Sequence, residues 1–173
     1  MERIAELGDR ELEWTQPRAL KMQFELRADG ELAATVKFRS SFGSFATAES
    51  ADGCWTFKRV GFLATRVTIR TCNEDQEIAT FKNNTWSGGG TLELADGRKI
   101  LVTTNLWGSK LEFRTESGQT LLQFRNKGLI HLSATVEIDR EALKTGEPWL
   151  VMLGWYVIVM MHMDAAAVAA AAG

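Results

Sequence analysis

Leu111-Glu-Phe-Arg-Thr-Glu-Ser-Gly-Gln-Thr-Leu-Leu-Gln-Phe-Arg-Asn126 decides the fold. Apolar and polar residues alternate on either side of Ser117-Gly118, where glycine supplies the positive φ of a tight turn. The stretch therefore reads as a β-hairpin with one buried and one wet face. The pattern occurs twice more upstream. Phe24-Glu-Leu-Arg27 leads to Val36-Lys-Phe-Arg-Ser40, and Val67-Thr-Ile-Arg70 leads to Ala79-Thr-Phe-Lys-Asn83. Phe38, Phe81 and Phe124 recur at intervals of 43 and 43, and Arg27, Arg70 and Arg114 at 43 and 44. The connecting segments Thr47 to Gly53 and Thr91 to Gly97 also match, each ending Ala-Asp-Gly. Self-similarity at one period marks a repeated supersecondary unit.

The alternation assigns faces. Phe24/Val67/Leu111, Leu26/Ile69/Phe113 and the three phenylalanines point inward; Glu25/Thr68/Glu112, the three arginines and Arg39/Lys82/Arg125 point outward. Asp29-Gly30, Asp52-Gly53 and Asp96-Gly97 supply further turns, which gives eleven or twelve strands between residues 20 and 138. A four-stranded propeller blade has a similar period, but the chain has room for about three units where propellers use four or more. A closed antiparallel barrel removes the unpaired edges with fewer units. The predicted architecture is mainly β, with residues 1–19 as an N-terminal extension and 20–173 as the barrel domain.

After Pro148 the chain runs Trp149-Leu-Val-Met-Leu-Gly-Trp-Tyr-Val-Ile-Val-Met-Met-His-Met163, then Asp164 and an alanine-rich stretch. Proline suits a first helical position, and a helix apolar on every side is wrapped by protein or by lipid. The stretch falls short of the ~20 residues a bilayer core needs, and extending it carries Asp164 inward at a cost of ~3 kcal/mol. A helix over about 148–172, buried inside the barrel, is the expectation. A tail anchor bearing a cytoplasmic β-domain is the alternative, and a small enzyme using residues that no motif identifies is the third reading.

Once the barrel and helix are assembled, the chain resembles the tubby, LURP-one-related and phospholipid-scramblase superfamily, a meander of about twelve strands round an apolar C-terminal helix. Thr104-Asn105-Leu106-Trp107-Gly108-Ser109-Lys110-Leu111 is similar to the tubby signature Ser-Asn-Leu-x-Gly-Thr-Lys-Phe. The resemblance implies a binding or scaffold module rather than an enzyme. In tubby proteins a Lys-x-Arg ahead of this signature grips phosphoinositide head groups. Leu101 and Thr103 stand at those positions here and supply no charge-assisted bond. A Lys-x-Arg does occur at Lys37 and Arg39 in another repeat. Together with Lys82 and Arg125 these are the candidate contacts for an anionic head group. Barrel closure is expected to spread them round the circumference, where Glu25, Glu77 or Glu112 would neutralise them and leave weak attraction. The proline-rich tail, cysteine cluster and acidic calcium segment of the scramblases have no counterpart in the sequence.

No enzymatic constellation emerges. His131 lies in Leu129-Ile-His-Leu as an outward strand residue; His162 and Asp164, two apart, do not share a helical face. Gly88-Gly89-Gly90 lacks the Lys-Ser/Thr of a phosphate loop, and Asp52, Asp96 and Glu116 lack calcium-loop spacing. Neither a cofactor nor a metal is expected. Trp149 and Trp155 should fill the core, while Trp86 and Trp107 pack at loop edges or reach a membrane interface or partner. Cys54 and Cys72 form no ligand motif; two free buried thiols are favoured over a lone disulfide. The mixed-charge N-terminus lacks a signal core, which with the thiols favours a cytoplasmic location, peripheral to a membrane at most. A net charge of −2 offers nucleic acid no global attraction and leaves a lipid surface or a membrane-associated protein as the expected partner. Oligomeric state is not encoded in any of these features.

Overall fold

The computed structural model describes residues 1–61, 65–84, 89–128, 132–139, 142, 144 and 146–173. Among them are twelve strands: β1 (Leu12–Thr15), β2 (Gln23–Ala28), β3 (Glu31–Phe38), β4 (Ala46–Ser50), β5 (Gly53–Val60), β6 (Arg66–Thr71), β7 (Glu77–Asn83), β8 (Gly90–Leu94), β9 (Lys99–Thr104), β10 (Lys110–Thr115), β11 (Thr120–Asn126) and β12 (Ala134–Ile138). Each pairs antiparallel with its sequence neighbours, and β1 pairs with β12 to close the barrel. One long helix, α1 (Leu150–Ala172), follows.

The repeat is a threefold structural unit of four strands. Hairpins β2–β3, β6–β7 and β10–β11 each carry a β-bulge at the same place, after Leu26, Ile69 and Phe113. The bulged residues are Ala33, Ile78 and Leu121. An arginine follows each bulge site, and Arg27, Arg70 and Arg114 pair with Glu25, Glu77 and Glu112. Bulges bend and twist a sheet, so three at equal intervals help curl it shut. The link hairpins β4–β5 and β8–β9 complete the first two units.

The third unit is completed by β12 and β1. Thr135-Val-Glu-Ile138 continues the Thr-x-Glu pattern of Thr47 and Thr91, and its partner strand comes from the opposite end of the chain. Residues 1–19 are therefore not an extension to the barrel: Leu12 and Trp14 are buried barrel residues, and β1 is the closing strand. Four residues are too few to show alternation, which is why the strand is inconspicuous. A second correction is one of register. Val36, not Phe38, is the counterpart of Phe81 and Phe124, because Leu26, Ile69 and Phe113 face Ala34, Ala79 and Leu122. The first hairpin turns on Asp29-Gly30 alone and is shorter than the others. Phe38 still faces inward at 8% exposure.

Helix α1 fills the lumen, and Leu150 to Met160 are all buried. Trp155 stacks on Trp14 and meets Phe24 edge-on, each at 5.4 Å between centroids. Tyr156 stacks on Phe38 and donates to the Ser44 carbonyl at 2.6 Å. Burial pushes its phenol well above the usual range. Gly154 lies against Phe124, where no side chain would fit. Among the described residues α1 is the helix with the length and composition to cross a membrane, but its apolar half is enclosed by strands.

Cys54 and Cys72 are disulfide-bonded, contrary to the free-thiol expectation. An interval of 18 residues means little in sequence, but the β5–β6 register sets Trp55 opposite Thr71 and so the cysteines opposite each other, 5.4 Å apart at Cα. Neither is fully buried. The thiol argument for a reducing compartment falls with that pairing.

Candidate functional site

An up-and-down barrel sends successive connections to opposite ends. Helix α1 enters at one end, beside residues 1–11 and the turns after β2, β4, β6, β8 and β10, and emerges at the other. The two ends differ sharply in charge. Described residues in the entry-end connections include Glu2, Glu6, Asp9, Glu11, Asp29, Asp52, Glu74, Asp75, Asp96, Glu116, Asp139 and Glu147, against Arg3, Arg10, Arg98 and Lys144. The six exit-end connections contain Arg18, Lys21, Arg39 and Lys127, and no Asp or Glu in their sequence. Lys37, Arg59, Arg66, Lys82, Lys110 and Arg125 sit on the strand ends that border them.

Apolar exposure is also one-sided. Of the exposed large apolar side chains among the described residues, all but Met1 and Leu101 are at the exit end. Leu20 and Phe42 are each 97% exposed, Leu106 100% and Trp107 88%. Gly108, at φ 62, and Asn105, whose Oδ1 accepts from the Ser109 and Lys110 amides, hold the turn that lifts Leu106 and Trp107 outward. Beyond Met160, α1 continues past His162 and Asp164 as an exposed run of alanine and valine.

The four candidate cations all lie at this exit end. They are spread round its circumference, as expected, but on one rim. Lys82 pairs with Glu93 at 2.8 Å, and Arg125 lies 4.0 Å from Glu137. The acidic partners anticipated for them are taken: Glu25 by Arg27, Glu77 by Arg70, and Glu112 by Lys110 and Arg114. Those two cations hold the Glu112 carboxyl below the usual range. Lys37 and Arg39 make no ion pair among the described residues. The β2–β3 ladder extends through Phe38 N–H to the Met22 carbonyl, which sets Lys21 opposite Arg39 as Gln23 is opposite Lys37. Lys21, Lys37 and Arg39 are all exposed where these two strands meet the rim, and the exposed Leu20 and Phe42 lie in the connections that Lys21 and Arg39 belong to. Sequence reasoning missed Lys21 because it lies outside the repeat; only the ladder brings it in.

Leu101 and Thr103 are exposed on β9, opposite Arg114 and Glu112. His131, Trp86 and Gly88 fall outside the described residues, whereas His162 is exposed on the emerging helix. No group of three or more metal-ligating side chains occurs among the described residues. A cavity of about 350 Å³ lies at the acidic end between Arg3, Ile4, Asp52, Glu147 and Pro148.

No protein-family model matches the chain, and no curated protein is similar to it in sequence. In structure it is similar to a protein from Arabidopsis thaliana solved by X-ray crystallography, with a TM-score of 0.55 at 14% identity over 93% of this chain and 98% of that one. That likeness is one of fold.

Proposed function

We propose that this chain is a non-enzymatic tubby/LURP-one-like module that binds its partner at the exit-end rim of the barrel. The observation that carries the reading is the occupied lumen. Twelve-stranded barrels are wide enough to enclose a ligand, but here Leu150 to Met160 take that space with side chains. Recognition then falls to the outer surface, where the charge and apolar exposure gather on one rim. Lys37, Arg39, Lys82 and Arg125 are the proposed contacts for an anionic group, joined by Lys21. The resemblance at Thr104–Leu111 and the likeness in fold support the family reading.

Two measurements test it. A fluorescent fatty acid should not be taken up stoichiometrically, and a hydrolase and transferase screen should give no steady turnover. Saturable lumen uptake, or turnover abolished by one point substitution, overturns the proposal. As a tail anchor, α1 would have to leave the barrel, stripping Trp14, Phe24 and Phe38 of their partners.

A further inference from the structure

We infer that the barrel docks end-on to an anionic lipid bilayer, exit end down, by surface charge and shallow apolar insertion rather than through a head-group pocket. This rests on the proposed rim but commits it to one partner. Net charge argues against membrane attraction only if the charges act from one place, and they do not. A six-residue strand such as β2 spans roughly 20 Å at the standard rise, whereas charge is screened over ~8 Å at physiological salt. The acidic entry end is therefore electrostatically remote from a surface that the exit end touches. At that surface the connections contribute cations and no carboxylate.

Apolar anchors distinguish a bilayer from other polyanions. Leu20 and Phe42 lie in the connections that Lys21 and Arg39 belong to, and Leu106 and Trp107 stand on a connection six strands away from that of Phe42. A nucleic acid or acidic peptide would meet one flank of such a rim. A plane meets both flanks at once. Cations at head-group depth with Trp and Phe projecting beyond them are the arrangement that an interface rewards, with each Lys or Arg contributing independently. Helix α1 emerges from the same face: its Asp164 carboxylate is paired with Arg59 at 2.6 Å, and residues 165–172 carry only alanine and valine side chains.

The test is flotation of the full chain with vesicles of phosphatidylcholine alone or with one third phosphatidylserine, at low and physiological salt. Binding should require the anionic lipid and weaken with salt. Lys37→Glu/Arg39→Glu should bind more than tenfold more weakly. Arg3→Glu/Lys99→Glu, on exposed sites at the entry end, changes net charge equally and should stay within threefold. Phe42→Ser/Leu106→Ser should lose the salt-resistant fraction. Equal loss in both charge pairs, equal binding to neutral vesicles, or no binding at low salt overturns the inference. So does much tighter binding to phosphoinositide vesicles of matched charge, which would signal a stereospecific pocket. The absence of vesicle binding leaves the rim-binding reading standing on its own uptake and turnover tests.

Discussion

Gly154→Ala separates two effects of opposite sign. In an ordinary helix the change stabilises by ~1 kcal/mol, because glycine has the larger backbone entropy to lose. Here a Cβ would lie 2.3 Å from Phe124 Cζ, 2.4 Å from its Cε2 and 3.2 Å from Phe113 Cε2. Carbon atoms rest at ~3.5–4.0 Å, so the Phe124 ring would have to retreat by about 1 Å or more. It has nowhere to go: Phe124 and Phe113 are both 0% exposed, with ring centroids 6.2 Å apart. Overpacking of this kind costs ~1–3 kcal/mol, and the displacement required places it toward the upper end. The expected net is destabilisation by ~1–2 kcal/mol, or roughly 2–8 °C in Tm for a chain of this size. Phe124→Leu removes the obstructing atoms, so the double variant should be more stable than the two single effects sum to, by ~1 kcal/mol or more. Urea melts of the four proteins measure both quantities. A stabilised Gly154→Ala, or strict additivity with Phe124→Leu, refutes the tight seating of α1 against β11.

Removing residues 148–173 should leave an insoluble or unfolded chain, since each large apolar group uncovered costs ~1.5–3 kcal/mol; a soluble, folded truncate would show that the helix is dispensable. Phe81→Ala should cost ~3–5 kcal/mol through a cavity. Lys82→Ala, which loses only an exposed ion pair, should stay within ~1 kcal/mol, and equal denaturation midpoints would contradict the assigned faces. Glu112→Gln should be less stable than the native chain at neutral pH by ~1–3 kcal/mol. Because the native carboxyl is held below its ordinary value by Lys110 and Arg114, that gap is full above the unfolded glutamate value of ~4.3 and closes as pH falls below it. A pH-independent gap in thermal melts would rule out the ionised pairing.

The hairpins, their faces and the central helix were legible because alternation, Asp-Gly turns and a uniformly apolar run are local signals. What escaped depends on partners distant in sequence. Leu12–Thr15 carries too few residues for a period and declares itself only against Ala134–Val136. The cysteines needed the β5–β6 register, and the alignment of Phe38 needed the length of the first turn. The rim was half legible: the repeat identified Lys37, Arg39, Lys82 and Arg125 as outward, but not that alternate connections share an end. Counting connections along an up-and-down barrel would have separated the acidic turns from the basic ones. Lys21 would still have been missed, since its neighbour Arg39 lies across a ladder.

The split third unit also sets an order of events in time. β1 leaves the ribosome first among the strands, yet its partner β12 emerges last, roughly six to twenty-five seconds later at 5–20 residues per second. Until then β1 presents an unpaired edge, and the inward faces of the sheet have nothing to cover them. Helix α1 comes later still, and a 23-residue helix cannot be threaded into a barrel that has already shut. The nascent sheet must therefore wait open, curl round α1 as it arrives, and seal only when Trp14 meets both Ala134 and Trp155. Synthesis of this chain is a race between that sealing and self-association of the exposed edge.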